Sequence, residues 1–473
     1  MRMAPYRWTI LLSLAVAGSA TARGAPDVVI TDTGAVRGAT ADGVVAWKGI
    51  PFAAPPVGAL RWRAPQPAAR WDGMRDARAY GHDCMQLPFP SDAAPLGTPP
   101  AEDCLYINVW KPVGARRLPV LVWIYGGGFV NGGSSPPTYA GTELAKQGIM
   151  VVSFNYRLGR FGTFAHPQLS AAREDAPPSP NFGYMDQVAA LRWVHRNIAA
   201  FGGDPANVTI VGESAGGVSV HALVTAPIAQ GLFTRAVVQS GGPIALGDAS
   251  PAAAQAAGLA FAASKGIAAD DPQASAKLRA LSADAVTDGL NLANRPSTLP
   301  VTYSAPVVDG RYAVDQLAAY RAGAFKKVPM MLGATSDDIG GRSGPMIVGA
   351  RNLAGILAAQ NVPTYYYRFS YVATSARTAE TRGASHASDI PFFFDTAAIK
   401  YGATTTPTDR AASRTASGYL VNFVKTGNPN APGASSRGQP PLWPAYDGRR
   451  RQMLDLNAAG AASVGRDPWD TAD

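Results

Sequence analysis

The chain is poor in the residues that build metal centres and disulfide scaffolds. It has 473 residues but only two cysteines and five histidines. No histidine cluster accompanies Cys84 and Cys104, so no zinc ligand set and no metal are expected. Charged residues are sparse as well, at 16%. Lys and Arg outnumber Asp and Glu to give a formal net charge of +9, yet they are scattered, without a basic run or basic–aromatic interleaving. That distribution argues against a nucleic-acid partner. Beyond the N-terminus no apolar stretch reaches membrane-spanning length, so no stable membrane insertion is expected. Repeats and heptads are missing too. Hydrophobic residues, at 47%, supply an ample core and exclude a disordered chain.

What is present begins at the N-terminus. Arg2 and Arg7 precede an apolar run from Ile10 to Ala17, followed by small residues at Ala20-Thr21-Ala22. This is the pattern of a cleavable secretory leader, too short to span a bilayer. Residues 1–22 are therefore expected to be a signal peptide, and residues 23–473 a single domain that is secreted or periplasmic. In an exported chain the isolated pair Cys84 and Cys104, enclosing a Pro-rich loop, reads as a disulfide; two free thiols are the alternative.

The apolar patterning then sets the fold class. Val28–Ile30 and Val44–Lys48 suggest an antiparallel N-terminal section, followed by an irregular Pro-, Gly- and Trp-rich stretch from Ile50 to Arg70. Strand-length apolar runs follow at Pro119–Tyr125, Ile149–Asn155, Val208–Gly212, Ala236–Gln239, Val328–Gly333 and Tyr365–Phe369. Helical patterns lie between several of them, notably Met185–Phe201 and Asp315–Phe325. Buried strands alternating with helices imply an α/β fold with a mostly parallel sheet covered on both faces. Catalytic groups should then sit at the carboxyl ends of the strands. The Ala-rich segments Pro251–Gly266 and Ser275–Ala293 read as helices of a cap or flanking layer.

Chemistry enters at Gly212-Glu213-Ser214-Ala215-Gly216-Gly217, set between the β-branched run Val208–Val211 and a helical pattern from Val218. A serine on a tight strand-to-helix turn, with small residues around it, fits a nucleophile elbow. A serine hydroxyl needs a base. In sheets of this type the order is nucleophile, acid, base, which leaves His221 and His386. His221 lies further along the helix that carries Ser214 away from the hydroxyl, so it reads as a packed histidine. His386, in a loop before Ile390-Pro391-Phe392, is the candidate base. Asp337 and Asp338 closely follow the strand pattern Val328–Gly333, and Asp338 is favoured as the acid with Asp337 as fallback. Gly126-Gly127-Gly128 follows Val120–Tyr125 directly, where bare backbone can approach a reacting group. Gly127, Gly128 and the N–H of Ala215 are the expected oxyanion donors.

Taken together, these residues resemble the type-B carboxylesterases of the α/β-hydrolase superfamily, which include cholinesterases and para-nitrobenzyl esterases. Further stretches carry the resemblance across nearly all of the expected mature chain. They include Lys48-Gly49-Ile50-Pro51-Phe52-Ala53, Glu102–Trp110, Phe201-Gly202-Gly203-Asp204-Pro205, Asn422-Phe423 with Gly427–Asn430, and Trp443-Pro444. The resemblance implies Ser214 as nucleophile, His386 as base, Gly127, Gly128 and Ala215 as oxyanion hole, and a Cys84–Cys104 bridge. It implies hydrolysis of small-molecule carboxylic esters without a cofactor, with activity rising as His386 deprotonates around neutral pH. Amides, carbamates or lipids on the same machinery are the alternative substrates, and a non-catalytic binding role the alternative function. The sequence carries no mark of oligomeric state.

Three departures from the family stand out. The position of its usual glutamate is Asp338, followed by Ile339 rather than Gly, so the backbone must come closer to His386. His386 follows Asp338 by only 48 positions, where relatives carry a longer segment that helps wall the active-site gorge. A more open, shallower pocket that admits bulky esters is therefore expected. The Cys84–Cys104 loop has Phe89 but no Trp, so choline esters are not expected as substrates.

Overall fold

The computed structural model describes residues 27–89, 94–171, 178–243, 250–294, 301–430 and 440–470, with residues 1 and 92. Apart from residue 1, the expected leader at 1–22 lies outside the described residues.

Among the described residues the main sheet has eleven strands. In chain order they are β1 (Ala39–Ala41), β2 (Val44–Pro51), β3 (Tyr106–Pro112), β4 (Leu118–Ile124), β5 (Met150–Phe154) and β6 (Gly203–Glu213). They continue with β7 (Arg235–Gln239), β8 (Met330–Thr335), β9 (Thr364–Phe369), β10 (Gln452–Leu456) and β11 (Ala462–Arg466). Across the sheet the order is β11-β10-β9-β8-β7-β6-β4-β5-β3-β2-β1. From β10 through β5 every pairing is parallel, whereas β11 and the β3-β2-β1 edge are antiparallel.

The central strands are apolar on consecutive residues because both faces are covered. Val120, Leu121, Val122, Trp123 and Ile124 are all fully buried, although successive side chains point to opposite faces. Helix α1 (Phe182–Phe201) packs on β6, and α2 (Ala215–Thr225) packs on β4, β6 and β7. α3 (Pro345–Ala359) covers β8 and β9, and α4 (Pro407–Thr426) packs on β4 and β6. The last helix starts cleanly because Thr406 and Asp409 form a reciprocal capping box, and it stops at left-handed Gly427.

Two expectations are refined. Val28–Ile30 is a strand, but it pairs with Ala35–Arg37 in a separate three-stranded sheet. The Ala-rich stretch Ser275–Ala293 is not one helix: it breaks into Ala274–Ala280 and Ala283–Thr287 because Ser282 caps a new start, its side chain accepting from the Ala285 N–H. Among the described residues no helix is long and apolar enough to cross a membrane.

Candidate active site

Four adjacent or near-adjacent parallel strands bring the candidate residues to one edge of the sheet. β4 runs into Gly126–Gly128, β6 into Ser214, β8 into Asp338, and β9 into the segment that carries His386. All lie past carboxyl ends, where an open α/β sheet builds its sites.

Ser214 sits on the turn with φ 53° and ψ −122°, a conformation that costs a non-glycine residue energy and is held by its surroundings. Its N–H donates to the Gln239 carbonyl at 2.9 Å, tying the elbow to the end of β7. The flanking glycines are required by contact. A Cβ on Gly216 would run into the carbonyls of Ile124 and Tyr125, and one on Gly212 into the carbonyl of Gly216. Ser214 is also the residue before the first turn of α2, so the Ala215 N–H lies at the helix N-terminus, where donors lack intrahelical acceptors.

The glycine loop after β4 packs against this elbow. A Cβ on Gly126 would lie 2.9 Å from Ser214 Cβ. The Gly127 carbonyl accepts from the N–H groups of Val130 at 3.1 Å and Asn131 at 2.9 Å. Because a trans peptide sets its N–H opposite its C=O, the Gly128 N–H faces out of that turn. Gly127 and Gly128 both have positive φ, at 101° and 63°. The loop that the sequence marks as a donor cradle therefore lies beside the candidate nucleophile.

His386 Nε2 is 2.9 Å from Ser214 Oγ, and His386 Nδ1 is 2.6 Å from Asp338 Oδ1. The structure thus brings Asp338, not Asp337, to the imidazole. Asp337 is exposed, whereas Asp338 is buried and also accepts from the Thr335 hydroxyl and the Thr335 and Ile339 N–H groups. Burial opposes ionisation of Asp338, but the His386 hydrogen bond and charge outweigh it and hold its carboxyl below the usual range. His221 is buried, with Nδ1 2.8 Å from the Tyr320 hydroxyl, and burial pulls its pKa down to about 4. It is a neutral packing residue, as its position on the helix suggests.

Two acids near the imidazole carry no signal in a motif scan. Glu213 is buried, and its Oε1 lies 3.3 Å from His386 Nε2. Burial, reinforced by Asp389 and Asp338 and opposed by His386, pushes the Glu213 carboxyl up to about 8. Asp389 is fully buried and accepts a long 3.4 Å bond from the Tyr367 hydroxyl; burial and the Asp338 charge push it up to about 7. Their combined field matters for the base. Burial pulls His386 down, but Glu213, Asp338 and Asp389 prevail and raise it to about 9. The neutral titration expected from an unperturbed histidine therefore moves upward. The usable signal was position: Glu213 ends a buried strand, where an acid is out of place unless it serves a neighbour.

Beside the imidazole lies a cavity of about 410 Å³, lined by His386, Tyr139, Tyr371, Thr378, Arg382 and Tyr401 among others. Cys84 and Cys104 are disulfide-bonded.

A profile of the carboxylesterase family matches residues 25–346 and 344–466. The chain belongs to the carboxylesterase family. Its similarity to the para-nitrobenzyl esterase of Bacillus subtilis (strain 168) is 34% identity over 489 residues, covering 91% of this chain and 95% of that protein. It is 40% identical over 339 residues to the fumonisin B1 esterase of Sphingopyxis macrogoltabida, across 70% of this chain and 60% of that protein. A solved structure of PNB esterase superposes with a TM-score of 0.80 at 31% identity, covering 94% of this chain and 98% of that one. The fold is accordingly the α/β-hydrolase fold, and this carboxylesterase hydrolyses carboxylic esters.

Proposed function

We propose that this carboxylesterase is exported and works through an acyl-enzyme on Ser214. The observation that carries the reading is the continuous relay from Asp338 Oδ1 through His386 to Ser214 Oγ, with contacts of 2.6 and 2.9 Å. Ser214 Oγ attacks the ester carbonyl while His386 Nε2 takes its proton. The oxyanion is met by the N–H groups of Gly127, Gly128 and Ala215, and losing one such donor typically costs about 3 kcal/mol. His386 returns the proton to the leaving alcohol, then activates water to release the acid. Asp338 fixes the tautomer that leaves Nε2 free to accept, and it stabilises the imidazolium.

Export is supported by the leader pattern at residues 1–22 and by the Cys84–Cys104 bridge, which suits an oxidising compartment. An open pocket is supported by the short acid-to-base segment, 48 positions from Asp338 to His386. Relatives named for para-nitrobenzyl and fumonisin B1 esters fit a pocket that takes large groups. The test is a panel of esters, amides and carbamates varying in size and charge, run on the mature protein and on Ser214→Ala. Turnover of bulky esters that vanishes in the variant is expected. Near wild-type turnover by Ser214→Ala would refute the mechanism, and rejection of all but the smallest esters would refute the open pocket.

A further inference from the structure

An aspartate is one methylene shorter than a glutamate, so an aspartate that serves a histidine needs the two backbones closer together. In this chain the acid loop and the base loop are joined directly. Asp337 and Ser385 form a parallel β-bridge. The Asp337 N–H donates to the Ala384 carbonyl at 2.8 Å, and the Ala384 N–H donates to Ser336 Oγ at 2.9 Å. The Ser336 N–H in turn donates to the Phe369 carbonyl at 2.9 Å, anchoring the acid loop to the end of β9.

The approach is close enough to demand a glycine. A Cβ on Gly383 would lie 2.5 Å from Ser336 Oγ and 3.2 Å from Asp337 Cβ. Within its own loop the Asp338 carboxylate is gripped on both oxygens: Oδ2 by the Thr335 N–H at 3.1 Å and hydroxyl at 2.9 Å, Oδ1 by the Ile339 N–H at 2.7 Å. A carboxylate fixed to its loop, and a loop fixed to the histidine's loop, leave Oδ1 at hydrogen-bond distance from Nδ1 without adjustment.

We propose that Ser336 and Gly383 are positioning residues, which set the spacing between the two loops at the value where an aspartate, and not a glutamate, orients His386. This rests on the Ser214–His386–Asp338 reading above and deepens it. Removing the Ser336 hydroxyl loosens the join, and a methyl on Gly383 forces it apart. Ser336 does not line the cavity beside His386, so the damage from its loss falls on the chemical step. A displacement of this kind can cost about a hundredfold when it reaches the reacting groups.

The test measures kcat and KM on para-nitrophenyl acetate for Ser336→Ala, Gly383→Ala, Asp338→Glu and the double variant Ser336→Ala/Asp338→Glu, with thermal unfolding of each. Both positioning variants should lose kcat by about tenfold or more, Ser336→Ala at unchanged KM, a positional loss of the kind expected for a misaligned catalytic group. Asp338→Glu should be far more damaging in the wild-type frame than in the Ser336→Ala frame, because only a loosened join has room for the extra methylene. Wild-type kcat in both positioning variants, or an equal penalty for Asp338→Glu in both frames, overturns the proposal. If Gly383→Ala does not fold, Ser336→Ala, which deletes a single oxygen, carries the test. Ser214→Ala run in parallel separates the two levels: turnover there defeats the triad itself, whereas its loss alongside unaffected positioning variants defeats only this inference.

Discussion

Replacing Glu213 with Gln removes one negative charge from beside the base while keeping the side chain's shape. Glu213 Oε1 lies 3.3 Å from His386 Nε2, with the carboxyl buried and the imidazole partly exposed. The base is raised from 6.5 to about 9 against a burial penalty, first by the Glu213 charge, then by the hydrogen bond and charge of Asp338 and the charge of Asp389. Removing the Glu213 charge should therefore move the His386 pKa from about 9 back toward 6.5, and each unit of that fall means about tenfold more neutral base at a pH below both values. The sign follows from the role of the imidazole. A base must be neutral to act, so kcat/KM falls as the pH drops through the folded-state pKa of His386. With Glu213 gone that limb moves to lower pH. Glu213→Gln should hence be relatively more active below neutral pH than the wild type. The assay is a kcat/KM pH profile on a para-nitrophenyl ester, with Glu213→Asp as the charge-retaining control. An acid limb that stays in place would show that Glu213 is already uncharged where His386 titrates, and the electrostatic reasoning would fail.

Two further outcomes are expected. Asp338→Asn should leave the fold intact and lower kcat by about 10⁴-fold, because an amide stabilises the wrong imidazole tautomer; an effect below tenfold on the same ester would remove Asp338 from the mechanism. Converting Cys84 and Cys104 to Ser should lower unfolding free energy by about 3 kcal/mol in the chain-entropy account, seen as a reduced urea midpoint. An unchanged midpoint would mean that the loop is held by its packing alone.

The candidate catalytic line was legible because each member sits where local chemistry marks it. Ser214 lies between a β-branched run and a helix, the glycines follow a buried strand, and few histidines compete with His386. The central strands β4, β5 and β6 were equally plain, since burial on both faces leaves an unbroken apolar run. Strands β10 and β11 were not, because they form an edge whose residues are partly exposed and mix polar with apolar side chains. Helix Pro407–Thr426 was hidden for a related reason: its buried face uses Ala412, Ser413, Ala416 and Ser417 beside its larger apolar residues. Asp389 left no mark in the sequence and Glu213 only its place at the end of a buried strand, since their burial beside His386 arises only when β6 and the base loop meet. Asp338 was favoured over Asp337 as the position matching the family's glutamate, but the physical reason, that one residue is buried and its neighbour exposed, shows only in the fold.

Mass spectrometry of the enzyme quenched during turnover of a slowly deacylated para-nitrophenyl ester tests the account most directly. One acyl group per chain is expected, on the peptide containing Ser214, and absent when His386 is replaced by Ala. Steady-state turnover with no acyl adduct, or an adduct on a different residue, would contradict it.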